Sequence, residues 1–141
     1  MDTFIIRLIE SNDTAVTELL QQFRKSYNIN TTDFVRFIDT LNDNHQIYVI
    51  IDNLNNIIGT GTLLIERKII HNLGKVGHIE DIVIDEKYRH QQLGTRLIGF
   101  LKQKAIEHGC YKAILNCKEE AIGFYEKNGF YNTNIQMACY F

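Results

Sequence analysis

Apolar residues along this chain follow two spacings, and the switch between them marks its elements. Residues 4–9, Phe-Ile-Ile-Arg-Leu-Ile, form a short apolar run that predicts a first strand. Ser11, Asn12 and Asp13 then supply the small hydrogen-bonding side chains that start helices. Val16, Leu19, Leu20 and Phe23 follow at helical spacing, which predicts a helix over 14–25 with those four on its core face. Residues 27–31 read as a turn. Thr32 and Asp33 then cap a second, short helix whose Phe34, Phe37, Ile38 and Leu41 share a face. Residues 47–51 are aromatic and β-branched, 52–56 are a turn cluster, and 57–66 return as a second strand, which predicts a hairpin. Gly59 and Gly61 inside the returning strand predict a bulge or a close backbone approach. Residues 67–77 read as a connection, locally basic through Arg67, Lys68, His71 and Lys75.

The stretch 78–95, His-Ile-Glu-Asp-Ile-Val-Ile-Asp-Glu-Lys-Tyr-Arg-His-Gln-Gln-Leu-Gly-Thr, organises the rest. It opens as a strand through Ile79, Ile82, Val83 and Ile84, interrupted by Glu80 and Asp81. Adjacent strand residues point to opposite faces, so one carboxylate meets the core side unless a bulge re-aims it. A basic, polar turn follows and leads into a helix, in which Leu93, Leu97, Leu101 and Ala105 repeat every four residues with Ile98 alongside, as far as His108. Strand, donor-rich turn and helix start make an anion site, because the first N–H groups of a helix have no partner within it.

Gly109 ends that helix. Residues 111–117 read as a strand, 119–128 as a helix stopped by Gly129, and 130–131 with 135–140 as a last hairpin around Asn132-Thr133-Asn134. The strand–helix–strand register predicts a right-handed parallel crossover. The fold class is therefore α/β in the broad sense (α+β): a mainly antiparallel sheet with one central parallel step and helices on both faces. A length of 141 residues predicts a single domain over 1–141 with one sizeable core.

Composition narrows the functions. A net charge of −2 predicts no general affinity for nucleic acid. No apolar run approaches the length needed to span a bilayer, and the N-terminus lacks the basic start and cleavage site of a signal peptide. Cys110, Cys117 and Cys139 fit no metal spacing, so free thiols in a reducing, cytoplasmic compartment are expected, with no metal.

Ligands of open α/β sheets favour the carboxyl ends of parallel strands, here near Ile84 and Cys117. The turn before the long helix, Asn116 and the helix carrying Tyr125 converge there. Taken singly, each has a plainer reading. The turn is an ordinary helix start, Glu80-Asp81 a bulge or a partner for surface cations, Tyr125 a core aromatic, and Cys117 a small buried hydrophobe.

Taken in order, the segments are more specific. They are Ile65-Glu66-Arg67-Lys68-Ile69-Ile70-His71, Gly77-His78-Ile79-Glu80-Asp81-Ile82-Val83, Tyr88-Arg89 through Leu93-Gly94, Gly109-Cys110-Tyr111-Lys112 and Gly123-Phe124-Tyr125-Glu126-Lys127-Asn128-Gly129-Phe130. Over 65–130 the chain resembles the GNAT acetyltransferases, and within them the glucosamine 6-phosphate N-acetyltransferases. Before residue 65 only the element order and Thr60-Gly61-Thr62-Leu63 match.

The resemblance implies transfer of acetyl from acetyl-CoA to the amine of D-glucosamine 6-phosphate by direct attack, in the supply of UDP-N-acetylglucosamine. Ile82, Val83 and Ile84 would hold the acetyl and pantetheine arm. Arg89, His90, Gln91, Gln92, Leu93, Gly94 and Thr95 would cradle the CoA pyrophosphate. Tyr125 matches the tyrosine beside the CoA sulfur. Glu80 and Asp81 match positions that bind the sugar, as does the segment Lys68, Ile69, Ile70 and His71. Tyr111 and Lys112 match residues that reach a partner subunit's site, which implies a homodimer with composite sites.

The pattern departs in a few places. Glycine often stands at Gln92. A carboxylate often stands at Asn116, so proton removal would fall to Glu80, Asp81, a water chain or an amine that enters neutral. Arg24 replaces a frequent threonine, and Tyr140 aligns with an arginine of some members. These departures keep two alternatives open: a GNAT enzyme for another small amine or amino sugar, and a non-catalytic acyl-CoA-binding module.

Overall fold

The computed structural model describes residues 3–23 and 28–141. Its sheet is organised by β2 (His45–Ile51), whose apolar run is buried on both faces. Tyr48 and Ile50 face one layer of helices while Val49 and Ile51 face the other. A strand covered on both sides reads as a continuous apolar run rather than an alternation. The remaining elements are β1 (Ile5–Leu8), α1 (Val16–Gln21), α2 (Thr31–Asp39), β3 (Ile57–Arg67), α3 (Ile70–Leu73), β4 (Lys75–Ile84), α4 (Leu93–Glu107), β5 (Cys110–Ile114) and α5 (Ile122–Lys127). The sheet order is β1-β2-β3-β4-β5, antiparallel throughout except for the parallel pair β4–β5. The expected architecture is therefore present, with helices on both faces.

The larger core layer lies under α4. Leu93, Leu97, Ile98, Leu101 and Ala105 are buried against Tyr48, Ile50, Ile58, Leu63, Ile65 and Ile79. The opposite layer packs Val16 of α1 and Phe34 of α2 on Ile9, Val49 and Ile51. Polar side chains tie the layers down. The Tyr48 hydroxyl donates to Gln46, whose Nε2 lies 3.0 Å from His108 Nε2, so β2 is joined to the end of α4. At the far edge, Arg7 makes a two-pronged bond to Asp13, Nη1 to Oδ2 at 2.7 Å and Nη2 to Oδ1 at 2.9 Å.

Several sequence expectations need correction. The first helix runs only over Val16–Gln21, and Phe23 just beyond it is 52% exposed rather than core. In α2, Phe34 is buried but Phe37 is 46% exposed, because a helix this short turns a single narrow stripe inward. Its cap is Asn30, which accepts from the Asp33 N–H at 2.9 Å, not Thr32 or Asp33.

The connection over 67–77 is shorter than expected. β4 already begins at Lys75, because β5 pairs with it from Lys75↔Cys110. What remains is α3, a single turn in which His71, Asn72 and Leu73 all have left-handed backbone angles. β5 ends at Ile114, short of Cys117. The last hairpin does not form. Residues 131–141 hold no strand, and Ile135 is 91% exposed. A two-stranded hairpin is marginal in water unless it packs on something, and among the described residues nothing covers this segment's apolar side chains.

Candidate active site

The site begins where hydrogen bonding stops. β4 pairs with β3 along its length, out to Gly59↔Ile84. Against β5 the last pair is His78↔Ile114. From Ile79 to Ile84, β4 therefore has no strand on that side, and the chain after Ile114 diverges. The gap is an open cleft of about 1580 Å³ at the carboxyl ends of the parallel pair. Glu80, Asp81, Ile82, Val83, Ile84, Arg89, His90, Gln92, Leu93, Gly94, Thr95, Asn116 and Tyr125 all line it.

A bulge shapes its wall. Thr62 pairs with Glu80 and Thr60 with Val83, so Asp81 and Ile82 together oppose Gly61 alone. Asp81 takes a φ of +51°, outside the strand region. A Cβ on Gly61 would come within 2.6 Å of Ile82 Cδ1, so any larger residue there would push the Ile82 side chain aside. The bulge expected from the sequence is thus real, and both carboxylates line the cleft: Glu80 half-buried, Asp81 exposed.

The turn after β4 forms the cleft's far end. The Asp85 carboxylate accepts from the Lys87 N–H at 2.9 Å, which closes a single 3₁₀ turn over Glu86–Tyr88. Arg89 Nε reaches the Ile84 carbonyl at 3.3 Å. His90 and Gln92 are left-handed, with φ of +70° and +60°. The residue where glycine is frequent therefore occupies a conformation that glycine adopts most easily. The Gln92 side chain makes no capping bond at the start of the 15-residue helix α4. Gly94 lies against α5, where a Cβ would come within 3.1 Å of Phe124 Cζ. The start of a helix of this length, beside Arg89 and His90, suits a diphosphate.

Tyr125 stands on α5, edge-on to Phe124 at 5.0 Å and to Phe130 at 6.0 Å between ring centres. Burial pushes its pKa above the usual tyrosine value, and nearby Cys117 adds to the shift. The phenol therefore keeps its proton at neutral pH. α5 is clipped to α4. Lys102 Nζ donates to the Asn128 carbonyl at 2.7 Å, and Asn128 Nδ2 donates to the Phe124 carbonyl at 2.8 Å.

The other expected site residues lie elsewhere. Gln91, Lys68, Ile69, Ile70, His71, Tyr111, Lys112 and Tyr140 do not line this cleft. Lys68 pairs with Glu66 at 3.1 Å, and His71 stacks on Tyr111 at 4.3 Å, both near the opposite end of the β4–β5 pair. Arg24 lies outside the described residues. The cleft also takes in Leu20, Phe23, Cys117, Lys118, Glu120 and Gln136, which sequence reasoning did not select for it. For Phe23 the helical spacing gave a signal for the core face only. For Gln136 there was none. Among the described residues, no group of three His, Cys, Asp or Glu side chains is placed to hold a metal ion.

Comparison with known proteins agrees with this geometry. The model of the acetyltransferase (GNAT) family matches residues 13–130. The glucosamine 6-phosphate N-acetyltransferase of Arabidopsis thaliana is 40% identical over 99% of this chain and 98% of its own. Its crystal structure superposes with a TM-score of 0.95, covering 99% of both chains. Glucosamine 6-phosphate N-acetyltransferase 1 of Dictyostelium discoideum is 41% identical over 94% of this chain and 86% of its own. The chain with this bulged strand, open helix start and buried tyrosine therefore belongs to the GNAT acetyltransferase family, among the glucosamine 6-phosphate N-acetyltransferases.

Proposed function

We propose that this enzyme moves the acetyl group of acetyl-CoA to the amine of D-glucosamine 6-phosphate, giving N-acetyl-D-glucosamine 6-phosphate for UDP-N-acetylglucosamine synthesis. The observation that carries the reading is the half-paired strand. From Ile79 to Ile84, β4 keeps β3 on one side and offers an unpaired edge on the other. An edge of free N–H and C=O groups suits an amide-bearing arm such as pantetheine, and the adjoining turn and helix start suit its diphosphate. Acetyl-CoA supplies an activated thioester carbonyl. A backbone N–H near Ile82 would polarise that carbonyl.

The remaining residues divide the proton work. The sugar nitrogen forms a bond to the acetyl carbon as the carbon–sulfur bond breaks. Tyr125 gives its proton to the departing sulfur, a role suited to a phenol kept protonated by burial. The proton lost by nitrogen passes to Glu80, Asp81 or a water between them. Asn116, also in the cleft, orients the amine through its carbonyl oxygen, since an amide takes no proton at neutral pH.

We further read the enzyme as a homodimer with composite sites in the cytoplasm. Two features support the dimer. Lys68, Ile69, Ile70, His71, Tyr111 and Lys112 gather away from this chain's own cleft. Residues 131–141 leave Tyr131, Ile135, Met137 and Tyr140 exposed. The unpaired thiols Cys110, Cys117 and Cys139 suit a reducing compartment.

The test is thiol release from acetyl-CoA by the purified protein with glucosamine 6-phosphate, beside glucosamine, spermidine and a lysine peptide. Release with the phosphorylated sugar alone is expected. Faster release with another amine would move the substrate and leave the donor in place. Silence on all four, with acetyl-CoA still bound, would leave only the binding module.

A further inference from the structure

Asp52 is a buried carboxylate, 8% exposed, in the turn between β2 and β3. Its Oδ1 accepts from the N–H groups of Leu54 at 2.9 Å and Asn56 at 2.8 Å. Its Oδ2 accepts from Asn56 Nδ2 at 3.0 Å and from the Tyr88 hydroxyl at 3.1 Å. The Asn56 amide first, with the turn N–H groups and the Tyr88 hydroxyl, holds this carboxyl below the usual aspartate range. The first three bonds close the turn on itself. The fourth spans 36 residues of sequence and has nothing to do with the hairpin.

Tyr88 is where the cleft turn begins. Its N–H donates to the Asp85 carbonyl at 2.8 Å, and its ring stands edge-on to Phe4 at 6.4 Å. Arg89, His90 and Gln92 follow, the last two left-handed. Non-glycine residues stay in that region only when their surroundings hold them there. At the far end, α4 does so. Leu93 is buried, and the Arg96 N–H donates to the Gln92 carbonyl at 3.0 Å. At the near end the hold is shared by the Arg89 Nε bond to the Ile84 carbonyl and by Tyr88, whose hydroxyl is anchored on an ionised carboxylate, which makes that bond charge-assisted.

We propose that Asp52 is a positioning residue for the acetyl donor. Through the Tyr88 hydroxyl it fixes the near end of the 89–95 turn in the shape that receives the CoA diphosphate. The proposal deepens the function given above and rests on its placement of the diphosphate at that turn. It assigns a role to a residue in another hairpin, which need not touch the ligand to set the enzyme's preference for a full CoA donor.

Two donors test it, with glucosamine 6-phosphate as acceptor: acetyl-CoA, and S-acetylpantetheine, which carries the same thioester but ends before the diphosphate. Wild type is expected to prefer acetyl-CoA. Tyr88→Phe deletes the hydroxyl and keeps the ring on Phe4. It is expected to lower kcat/KM for acetyl-CoA about tenfold, through KM, and to shift the S-acetylpantetheine value by less than about twofold. Asp52→Asn shifts the donor ratio in the same direction, and adding it to Tyr88→Phe shifts the ratio no further, because the bond is already gone.

Equal losses with both donors would make Tyr88 a merely structural residue and overturn the proposal, as would an unchanged acetyl-CoA value. A wild type that uses both donors equally would overturn the placement of the diphosphate, and the proposal with it. A wild type that prefers acetyl-CoA, with Tyr88→Phe keeping that preference, would overturn the role of Asp52 alone. Titration of CoA and pantetheine into wild type and Tyr88→Phe separates the same outcomes with no acceptor present. An Asp52→Asn protein that fails to fold leaves the decision to Tyr88→Phe.

Discussion

The two halves of β4 differ in what lies on their β5 side. From Lys75 to His78 the strand is paired on both sides, with Val76 and Gly77 buried. From Ile79 to Ile84 it is paired on one side, carries a bulge at Asp81 and borders a cleft. The same strand is closed on both sides in its first half and, though Ile79 and Val83 stay buried, opens one edge onto the cleft in its second. The lesson is that the function is written less in any side chain than in where a ladder of hydrogen bonds is allowed to end. An unpaired strand edge is otherwise a hazard that proteins blunt or cover, and here it faces the cleft instead.

The comparison breaks most sharply at the chemistry. Tyr125→Phe removes one oxygen from the open half and leaves the ring packed on Phe124 and Phe130. Turnover is expected to fall roughly 100-fold, with little change in acetyl-CoA affinity, as for loss of a general acid. Steady-state kinetics beside calorimetric binding of CoA check this, and unchanged turnover removes the acid role. The sign of the pH effect follows from the raised tyrosine pKa. The active form is the protonated one, so the alkaline loss of kcat in wild type is expected to have its midpoint above the ordinary tyrosine value of about 10. Asn116→Asp offers a base in the same cleft and is expected to keep or raise activity at neutral pH. A large loss would show a role for the amide that a carboxylate cannot fill.

Paired glycine substitutions come next. In the open half, Gly61→Val drives a side chain into Ile82 Cδ1, Leu101 Cδ1 and Leu97 Cδ2. In the closed half, Gly77→Val drives one into Ala105 Cβ and Leu63 Cδ1. Each is expected to cost about 1–3 kcal/mol of stability by overpacking. They should part company in kinetics. The protein that remains folded in Gly77→Val keeps its acetyl-CoA KM, whereas Gly61→Val flattens the bulge and loses it. Denaturant melts with kinetics on the folded fraction separate the two, and equal kinetic damage would erase the distinction between the halves.

How much of this could be read from residues alone follows the same divide. The closed half and the α4 layer were legible because burial imprints a period: Leu93, Leu97, Leu101 and Ala105 mark one face of one helix, and the core uses all four. The bulge was legible because two carboxylates in an apolar strand need a reason, and Gly61 stands opposite. The cleft residues from β4, the turn and α5 came from the family resemblance, and the geometry gathers them. Strand ends and tertiary ties were not legible. No local signal stops β5 at Ile114, since Leu115 continues the apolar run and only the divergence of two backbones ends the pairing. The tie from Asp52 to Tyr88 is likewise invisible, because an aspartate that opens a turn looks the same with or without a distant phenol. The tail misled for a physical reason. Its alternating Ile135 and Met137 have the pattern of a strand, but a pattern states a need for a partner and does not supply one.

The smallest expected effect is a control that leaves both halves of β4 alone. Asp13 lies across the sheet, where it accepts two bonds from Arg7 and one from the Glu10 N–H at 2.7 Å, joining β1 to the start of α1. Burial pushes its carboxyl up, but the Arg7 hydrogen bonds and the Glu10 N–H outweigh that, and its pKa sits below the ordinary aspartate value. A depressed folded pKa contributes stability that is present above the unfolded value of about 4 and is lost as pH falls through the folded one. Asp13→Asn is therefore expected to lower stability by about 1–2 kcal/mol at pH 7, with turnover and both donor constants unchanged. In acid the wild type loses the same increment, so the two melting curves should draw together as pH falls from the unfolded value through the depressed folded one. If the gap persisted there, the loss would come from shape and not from charge. If turnover fell as well, the far edge of the sheet would be coupled to the cleft, and the separation between the closed and the open half of β4 would have to extend to the helix that packs beside them.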